Sequence, residues 1–78
     1  MSQPRALVVD DEPDIRELLQ ITLERMNLDV VVAETIADAT RELRAGHFDL
    51  CLTDMKLPDG NGLSLVEWIQ NHKAHTPV

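Results

Sequence analysis

Residues 6–11 read Ala-Leu-Val-Val-Asp-Asp and residues 48–54 read Phe-Asp-Leu-Cys-Leu-Thr-Asp, so two apolar runs each end in aspartate. A short apolar run rich in valine or leucine is typical of a strand that is covered on both faces. Because desolvating a charge is costly, carboxylates at the ends of buried strands indicate a role other than stability. If the two strands are neighbours, Asp10, Asp11 and Asp54 converge on one pocket and form a site for a hard cation.

The residues that follow the first run have the spacing of a helix. Pro13 begins this helix at a position where proline is tolerated, and Asp14 in the first turn suits the positive end of the helix dipole. Apolar residues then recur at helical spacing until Asn27, which is a plausible stop. Residues 28–33, which include three consecutive valines, predict a second strand.

A second helix follows this strand. Thr35 is predicted as its N-cap, and Asp38 three residues later makes a variant of the capping box. Gly46 ends the helix as a C-terminal glycine. The third strand, residues 48–54, comes next and closes on Asp54.

The stretch after Asp54 is rich in turn residues. Residues 57–62, Leu-Pro-Asp-Gly-Asn-Gly, predict a loop in which Gly60 and Gly62 permit positive φ. A β-hairpin turn is the alternative, and the helical pattern that follows counts against it. This third helix is predicted to end near His72, and residues 76–78 predict the start of a fourth strand.

Strands therefore alternate with helices along the chain. That alternation predicts a parallel sheet with right-handed crossovers. We expect an α/β fold, a flavodoxin-like three-layer α/β/α sandwich with the first strand between the second and third, an order that reads 2-1-3-4-5 in a full domain of this kind. A crevice then opens beyond the carboxyl ends of the first and third strands, where Asp10, Asp11 and Asp54 lie.

Composition narrows the class of protein. The 78 residues make one domain at most, and the hydrophobic share of 44% is typical of a globular chain. A net charge of −7 argues against nucleic-acid binding by this segment. Cys51, the single cysteine, is expected in the core, and no run is long enough for a signal peptide or a membrane span. A cytoplasmic protein is the expectation.

Close carboxylates call for a cation. Two of them about 5 Å apart repel by roughly 3 kcal/mol at an effective dielectric of about 20, and oxygen ligands favour Mg²⁺. We expect Asp11 and Asp54 to ligate the ion directly, Asp10 to act through water, and the backbone carbonyl of Lys56 to add a ligand. Aspartate is an accepted covalent phosphate acceptor, so Asp54 is the candidate nucleophile and no general base is required.

Two stretches resemble the receiver domain of bacterial response regulators. They are LVVDDEPDIRELL, residues 7–19, and FDLCLTDMKLPDGNGLSLVEWI, residues 48–69. The resemblance covers essentially the whole chain and extends to the nitrogen-regulator-like transcription activators within that family. It implies that Asp54 accepts a phosphoryl group from a sensor histidine kinase, which docks beside the first helix, and that Asp10 and Asp11 help to hold Mg²⁺.

The resemblance also sets expectations about domain organisation. Family members are longer than this sequence, and they carry a switch Ser or Thr after the fourth strand and a lysine after the fifth. Residues 1–78 therefore resemble a partial receiver domain, truncated after the third helix. Transcription activation and DNA binding would belong to later domains. Such a module is a component of a phosphorelay and not a turnover enzyme.

Other functions fit part of the pattern. A phosphatase of the haloacid-dehalogenase type also uses an aspartate at a strand end, but its nucleophile follows the first strand as Asp-x-Asp, whereas residues 10–12 are Asp-Asp-Glu. A receiver-like interaction domain that no longer reacts is the third hypothesis. Turnover of a phosphate ester would identify the phosphatase. Failure to form a phosphate adduct, in a chain that includes the downstream residues of the domain, would favour the interaction domain. Taken singly, the aspartates also fit a solvated turn and an ordinary strand end.

Overall fold

The computed structural model describes residues 3–72, and the strand predicted at residues 76–78 lies outside that range. The elements in chain order are β1 (Arg5–Val9), α1 (Pro13–Arg25), β2 (Asp29–Ala33), α2 (Ile36–Ala45), β3 (Leu50–Thr53), β4 (Lys56–Leu57), β5 (Gly60–Asn61) and α3 (Gly62–His72). None of the helices in this part of the chain has the length and apolar character needed to cross a membrane.

The main sheet is parallel and has the order β2-β1-β3, as the alternation of strands and helices predicted. Val9 at the end of β1 lies opposite Ala33 on one side and Thr53 on the other, so the three strands finish at the same edge. Within residues 3–72, β3 pairs only with β1 in this sheet. The shared carboxyl edge is where the candidate site lies.

Alternate residues of β1 enter two separate cores. Ala6 and Val8 pack with Leu23 of α1 on one face of the sheet. Leu7 and Val9 pack on the other face with residues of α2 and α3, and the buried members of that larger cluster are Ala33, Ala39, Leu43, Phe48, Cys51, Leu57, Leu65 and Ile69. Helices thus cover both faces, which confirms the predicted three-layer α/β/α sandwich.

The C-terminus of α1 closes with a Schellman motif. Asn27 has a φ of 65°, the left-handed conformation that asparagine tolerates well. Its N–H donates to the Glu24 carbonyl at 3.0 Å, and the N–H of Leu28 donates to the Leu23 carbonyl at 3.2 Å. The predicted stop at Asn27 is therefore confirmed, and the turn delivers Leu28 back to the core beside Leu23.

The ends of α2 agree only in part with the sequence expectation. Thr35 is the N-cap, and its Oγ1 accepts from the N–H of Asp38 at 3.0 Å. The reciprocal half of the capping box is absent, because the Asp38 carboxylate accepts instead from Arg41 at 2.9 Å. Gly46 is the C-cap as predicted, but it is extended, with a φ of −158°, and its N–H bonds to the carbonyl of Glu42.

The predicted loop at residues 57–62 is wrong in one respect, because it contains a minimal antiparallel hairpin. Lys56 lies opposite Asn61 and Leu57 opposite Gly60, so Pro58 and Asp59 form the turn. Gly60 takes a positive φ of 153°, as predicted. The helical pattern did not exclude a hairpin, since α3 begins directly after β5 at Gly62.

Candidate functional site

The three predicted acids meet at the carboxyl edge of the sheet. The N–H of Asp10 donates to the Ala33 carbonyl at 3.0 Å, and the N–H of Asp54 donates to the Val9 carbonyl at 2.9 Å. These bonds continue the strand pairing past the strand ends and bring the side chains into register. One carboxylate oxygen from each of Asp10, Asp11 and Asp54 lies within 4.8 Å of the other two.

Asp10 is the buried member of this cluster, with 8% of its surface exposed. Its Oδ1 accepts from the N–H of Glu12 at 2.9 Å, which fixes the turn into α1. Its carbonyl accepts from Arg16 Nη1 at 3.0 Å, and Arg16 Nη2 also pairs with Glu34 at 3.3 Å. Arg16 therefore joins the loop after β1 to the loop after β2, a role that its position in an amphipathic helix does not reveal.

Asp54 is exposed. Neighbouring residues hold its backbone carbonyl and one of its carboxylate oxygens, Oδ1, in place. Its Oδ1 accepts from the N–H of Met55 at 2.7 Å, and its carbonyl accepts from Thr53 Oγ1 at 3.0 Å. Gly62 packs directly against that carbonyl, since a Cβ built on Gly62 would lie 2.2 Å from the Asp54 oxygen. Gly62 does not adopt the positive φ that the sequence suggested. A glycine is needed there because the two backbones approach so closely.

Lys56 lies two residues after Asp54, at the start of β4, and its side chain is exposed. It belongs to the hairpin that folds back under Asp54, where the N–H of Gly62 donates to the Met55 carbonyl at 2.8 Å. The structure thus holds the backbone around Lys56 by strand pairing with Asn61. Its carbonyl as a metal ligand stays a prediction.

The cluster has the donor chemistry of a hard-cation site. Its three carboxylates place three formal negative charges close together. The ion pairs within residues 3–72 are Arg16 with Glu34, Arg41 with Asp38 and His47 with Asp49, so no carboxylate of the cluster takes part in one. A set made only of oxygen donors fits Mg²⁺ or a similar ion better than it fits zinc or copper.

Cys51 lies in β3 but takes no part in this cluster. It is fully buried in the larger core, as the sequence predicted. Burial raises the pKa of the Cys51 thiol to about 11, because the low-polarity core disfavours the thiolate. The residue is therefore an inert core side chain near neutral pH.

Comparison with known proteins defines the class to which this fold and site belong. Residues 6–78 match the response regulator receiver domain, and the chain belongs to that family. It is 59% identical over all 78 residues to the response regulator protein PilR of Pseudomonas aeruginosa. It is 35% identical over 78 residues to the DNA-binding transcriptional regulator NtrC of Rhizobium meliloti. The chain spans 18% of the length of PilR and 16% of that of NtrC.

Solved structures agree with this assignment. The response regulator TrrA of Thermotoga maritima in complex with Mg²⁺ and BeF superposes with a TM-score of 0.87 at 37% identity, over 91% of this chain and 62% of that chain. TrrA in complex with the histidine kinase ThkA gives a TM-score of 0.87 at 36% identity, over 94% of this chain and 63% of that chain. The flavodoxin-like architecture and the receiver assignment are thereby confirmed.

Proposed function

We propose that this chain is the phosphoacceptor part of a two-component phosphorelay and that Asp54 is the residue phosphorylated. The observation that carries the proposal is the convergence of Asp10, Asp11 and Asp54 within 4.8 Å at the crevice of a receiver fold. Ligands in open α/β sheets bind at this edge, where the order of strands reverses. Asp54 is the exposed member of the cluster that ends β3, so a donor can reach it.

The geometry at Asp54 suits in-line attack on phosphorus. Its Oδ1 is engaged by the N–H of Met55, so we assign Oδ2 as the nucleophile. A carboxylate carries no proton that must be removed, which makes a separate general base unnecessary. As Oδ2 forms its bond to phosphorus, the bond from phosphorus to the imidazole nitrogen of a phosphohistidine breaks, and the imidazole keeps the electron pair and takes a proton.

The residues proposed to hold Mg²⁺ are Asp10, Asp11, Asp54 and, through its backbone carbonyl, Lys56. Bound there, the ion would neutralise charge among the carboxylates and on the transferring phosphoryl group. Asp10 contributes orientation as well, since its buried side chain accepts from Glu12 and its carbonyl from Arg16. These bonds fix the loop that carries Asp11.

A sensor histidine kinase is the proposed phosphoryl donor, and α1 is its proposed docking surface. Ile15, Leu18 and Ile21 leave 40, 61 and 43% of their surface exposed on this helix. Grouped apolar side chains on a soluble surface are typical of contact with another protein. The helix begins just after the acid pair, so a kinase bound to it lies beside the site. The relative TrrA forms a complex with a histidine kinase, which supports a kinase as the partner.

The output of the phosphorelay is proposed to be transcription regulation in the cytoplasm by other domains. The support is the similarity to NtrC, whose name describes a DNA-binding regulator. The net charge of −7 makes this segment itself a poor ligand for nucleic acid.

Phosphorylation of Asp54 can be tested by incubating the chain with a small acyl phosphate and Mg²⁺ and measuring its intact mass. We expect one phosphoryl adduct that requires Mg²⁺ and is lost in Asp54→Asn. Asp49→Asn is the matched control, because Asp49 precedes the same strand at the opposite end and should leave the adduct unchanged. No adduct on an unmodified chain that also includes the downstream residues of the domain would contradict the proposal and favour the receiver-like domain that does not react. Turnover of a phosphate ester would instead indicate a phosphatase.

A further inference from the structure

We infer that Asp59 is a positioning residue for the phosphoacceptor site, because it fastens the hairpin behind Asp54 to the first turn of α2. The inference rests on the proposed function, since the site that Asp59 positions is the proposed Mg²⁺ and phosphoryl site. Asp59 itself does not belong to the acidic cluster. It acts through the backbone of the β4–β5 hairpin.

The contact between Asp59 and α2 is bidentate. Asp59 Oδ1 accepts from the N–H of Ile36 at 2.8 Å, and Oδ2 accepts from the N–H of Ala37 at 3.0 Å. These are the first two residues of α2, whose N–H groups have no acceptor within the helix. The two bonds lower the pKa of Asp59, which indicates that they favour the anionic carboxylate.

The capping of α2 is therefore shared between a local and a distant residue. Thr35 accepts from the N–H of Asp38. Asp59 accepts from the N–H groups of the two residues before Asp38, which are Ile36 and Ala37. Asp59 comes 23 residues after Ile36 in the chain, so its carboxylate is a tertiary contact and not a local cap. A carboxylate at this end of the helix also meets the positive end of the helix dipole.

The β4–β5 hairpin links the position of Asp59 to that of the acceptor residue, Asp54. The segment from Met55 to Gly62 is closed by a 2.8 Å hydrogen bond between the Gly62 N–H and the Met55 carbonyl, and by the pairing of β4 with β5. Leu57 is 9% exposed and belongs to the larger core. A shift of the turn at Asp59 therefore moves the backbone of Lys56, which is two residues from Asp54.

A second contact ties the same hairpin to the same turn of α2. A Cβ built on Gly60 would lie 2.9 Å from Ile36 Cδ1, so the hairpin backbone packs against the Ile36 side chain. The hairpin thus meets Ile36 through a hydrogen bond and through a van der Waals surface. Because coupling between sites is reciprocal, a cation that fixes the Lys56 carbonyl must also stabilise the first turn of α2.

The test measures Mg²⁺ affinity by isothermal titration, and amide hydrogen exchange at Ile36 and Ala37 with and without Mg²⁺. In the unmodified chain we expect Mg²⁺ to slow exchange at both amides. Asp59→Ala should weaken Mg²⁺ binding by roughly 10-fold, as is typical of residues that support metal ligands from behind, and should abolish the Mg²⁺ effect on exchange. Asp59→Asn keeps one acceptor oxygen, so it should retain part of the Mg²⁺ affinity and part of the Mg²⁺ effect on exchange. It serves as the main variant if Asp59→Ala does not fold.

Asp38→Asn is the matched control. It removes the same charge from the first turn of α2, but Asp38 contacts Arg41 and not the hairpin. We expect its Mg²⁺ affinity to equal that of the unmodified chain. The inference is overturned if the Asp59 variants bind Mg²⁺ as tightly as the unmodified chain and show the same Mg²⁺ effect on exchange. It is also overturned if Asp38→Asn loses as much Mg²⁺ affinity as Asp59→Ala, because that loss would indicate a general charge effect. Failure of the unmodified chain to bind Mg²⁺ would overturn the proposed function and this inference with it.

Discussion

Replacing Gly62 by alanine should damage the acceptor site more than the fold. An alanine Cβ at this position would lie 2.2 Å from the carbonyl oxygen of Asp54 and 3.1 Å from both the Asp54 carbonyl carbon and the Met55 Cα. Carbon and carbonyl oxygen normally approach no closer than about 3.3 Å, so the two backbones must separate by about 1 Å. The obstacle is backbone on both sides, which no side-chain rotation can relieve.

The expected cost in stability is moderate. Overpacking of this kind costs about 1–3 kcal/mol, and the better helix propensity of alanine returns at most about 1 kcal/mol. A net loss of about 1–2 kcal/mol should lower the melting temperature by roughly 5–10 °C in a domain of this size. Thermal unfolding followed by circular dichroism measures that loss.

The expected cost in phosphorylation is larger, because Gly62 abuts the acceptor residue itself. A displacement of about 1 Å in a reacting group can reduce a rate by roughly 100-fold. The assay is the initial rate of adduct formation from an acyl phosphate, measured by intact mass well below the melting temperature of the variant.

Gly46→Ala is the matched control for this substitution. Its Cβ would meet only the guanidinium of Arg5, at 2.7 Å, and Gly46 is extended. The end of a long side chain can move aside, so both the melting temperature and the phosphorylation rate should change little. The reasoning is refuted if Gly62→Ala keeps the unmodified rate, or if the two glycine variants lose activity equally.

Three further substitutions or conditions give measurable outcomes. Thr35→Ala should lower the free energy of unfolding by about 1 kcal/mol through loss of an N-cap, as measured by urea titration, and an unchanged midpoint would contradict the assigned cap. Mg²⁺ at 100 times its dissociation constant should raise the free energy of unfolding by about 2.7 kcal/mol, and Asp11→Asn should lose most of that gain in the same titration. Burial raises the pKa of Cys51 from 9.0 to about 11 in the folded chain. The contribution of the buried thiol to stability is therefore complete below pH 9 and is lost as the pH rises through 11. The free energy of unfolding of Cys51→Ala should fall less steeply over that pH range than that of the unmodified chain.

The sheet and the acidic cluster could be predicted from sequence because each depends on a pattern that is local in the chain. The valine-rich run of β1 identifies a buried strand, and Asp10 and Asp54 follow their strands immediately. All strands of a parallel sheet point their carboxyl ends toward one edge, so residues that follow neighbouring strands come close together once the strand order is known.

The hairpin could not be predicted in the same way. Its strands, Lys56–Leu57 and Gly60–Asn61, have two residues each, too few for an alternating pattern to be visible. The turn residues were identified correctly, but those residues are common to loops and hairpins alike.

Contacts between segments that are distant in the chain could not be predicted from the sequence either. Asp59 caps a helix that begins 23 residues earlier, and nothing near Asp59 in the chain indicates which N–H groups it meets. Arg16 looks like a solvated helix residue until the fold brings Glu34 beside it. The close approach of Gly62 to Asp54 likewise exists only after the hairpin has folded back.

The two faces of the sheet are covered unequally, and this has a consequence for cation binding. Among the described residues, α1 buries only Leu23, whereas α2 and α3 together bury Ala39, Leu43, Gly62, Leu65 and Ile69. The helix that follows Asp10 and Asp11 is therefore expected to open locally at a lower free energy than β1, the strand before them, whose apolar side chains are fully buried. A cation bound by these two residues would shift that opening equilibrium toward the closed helix, so the affinity for the cation and the rigidity of α1 must rise and fall together.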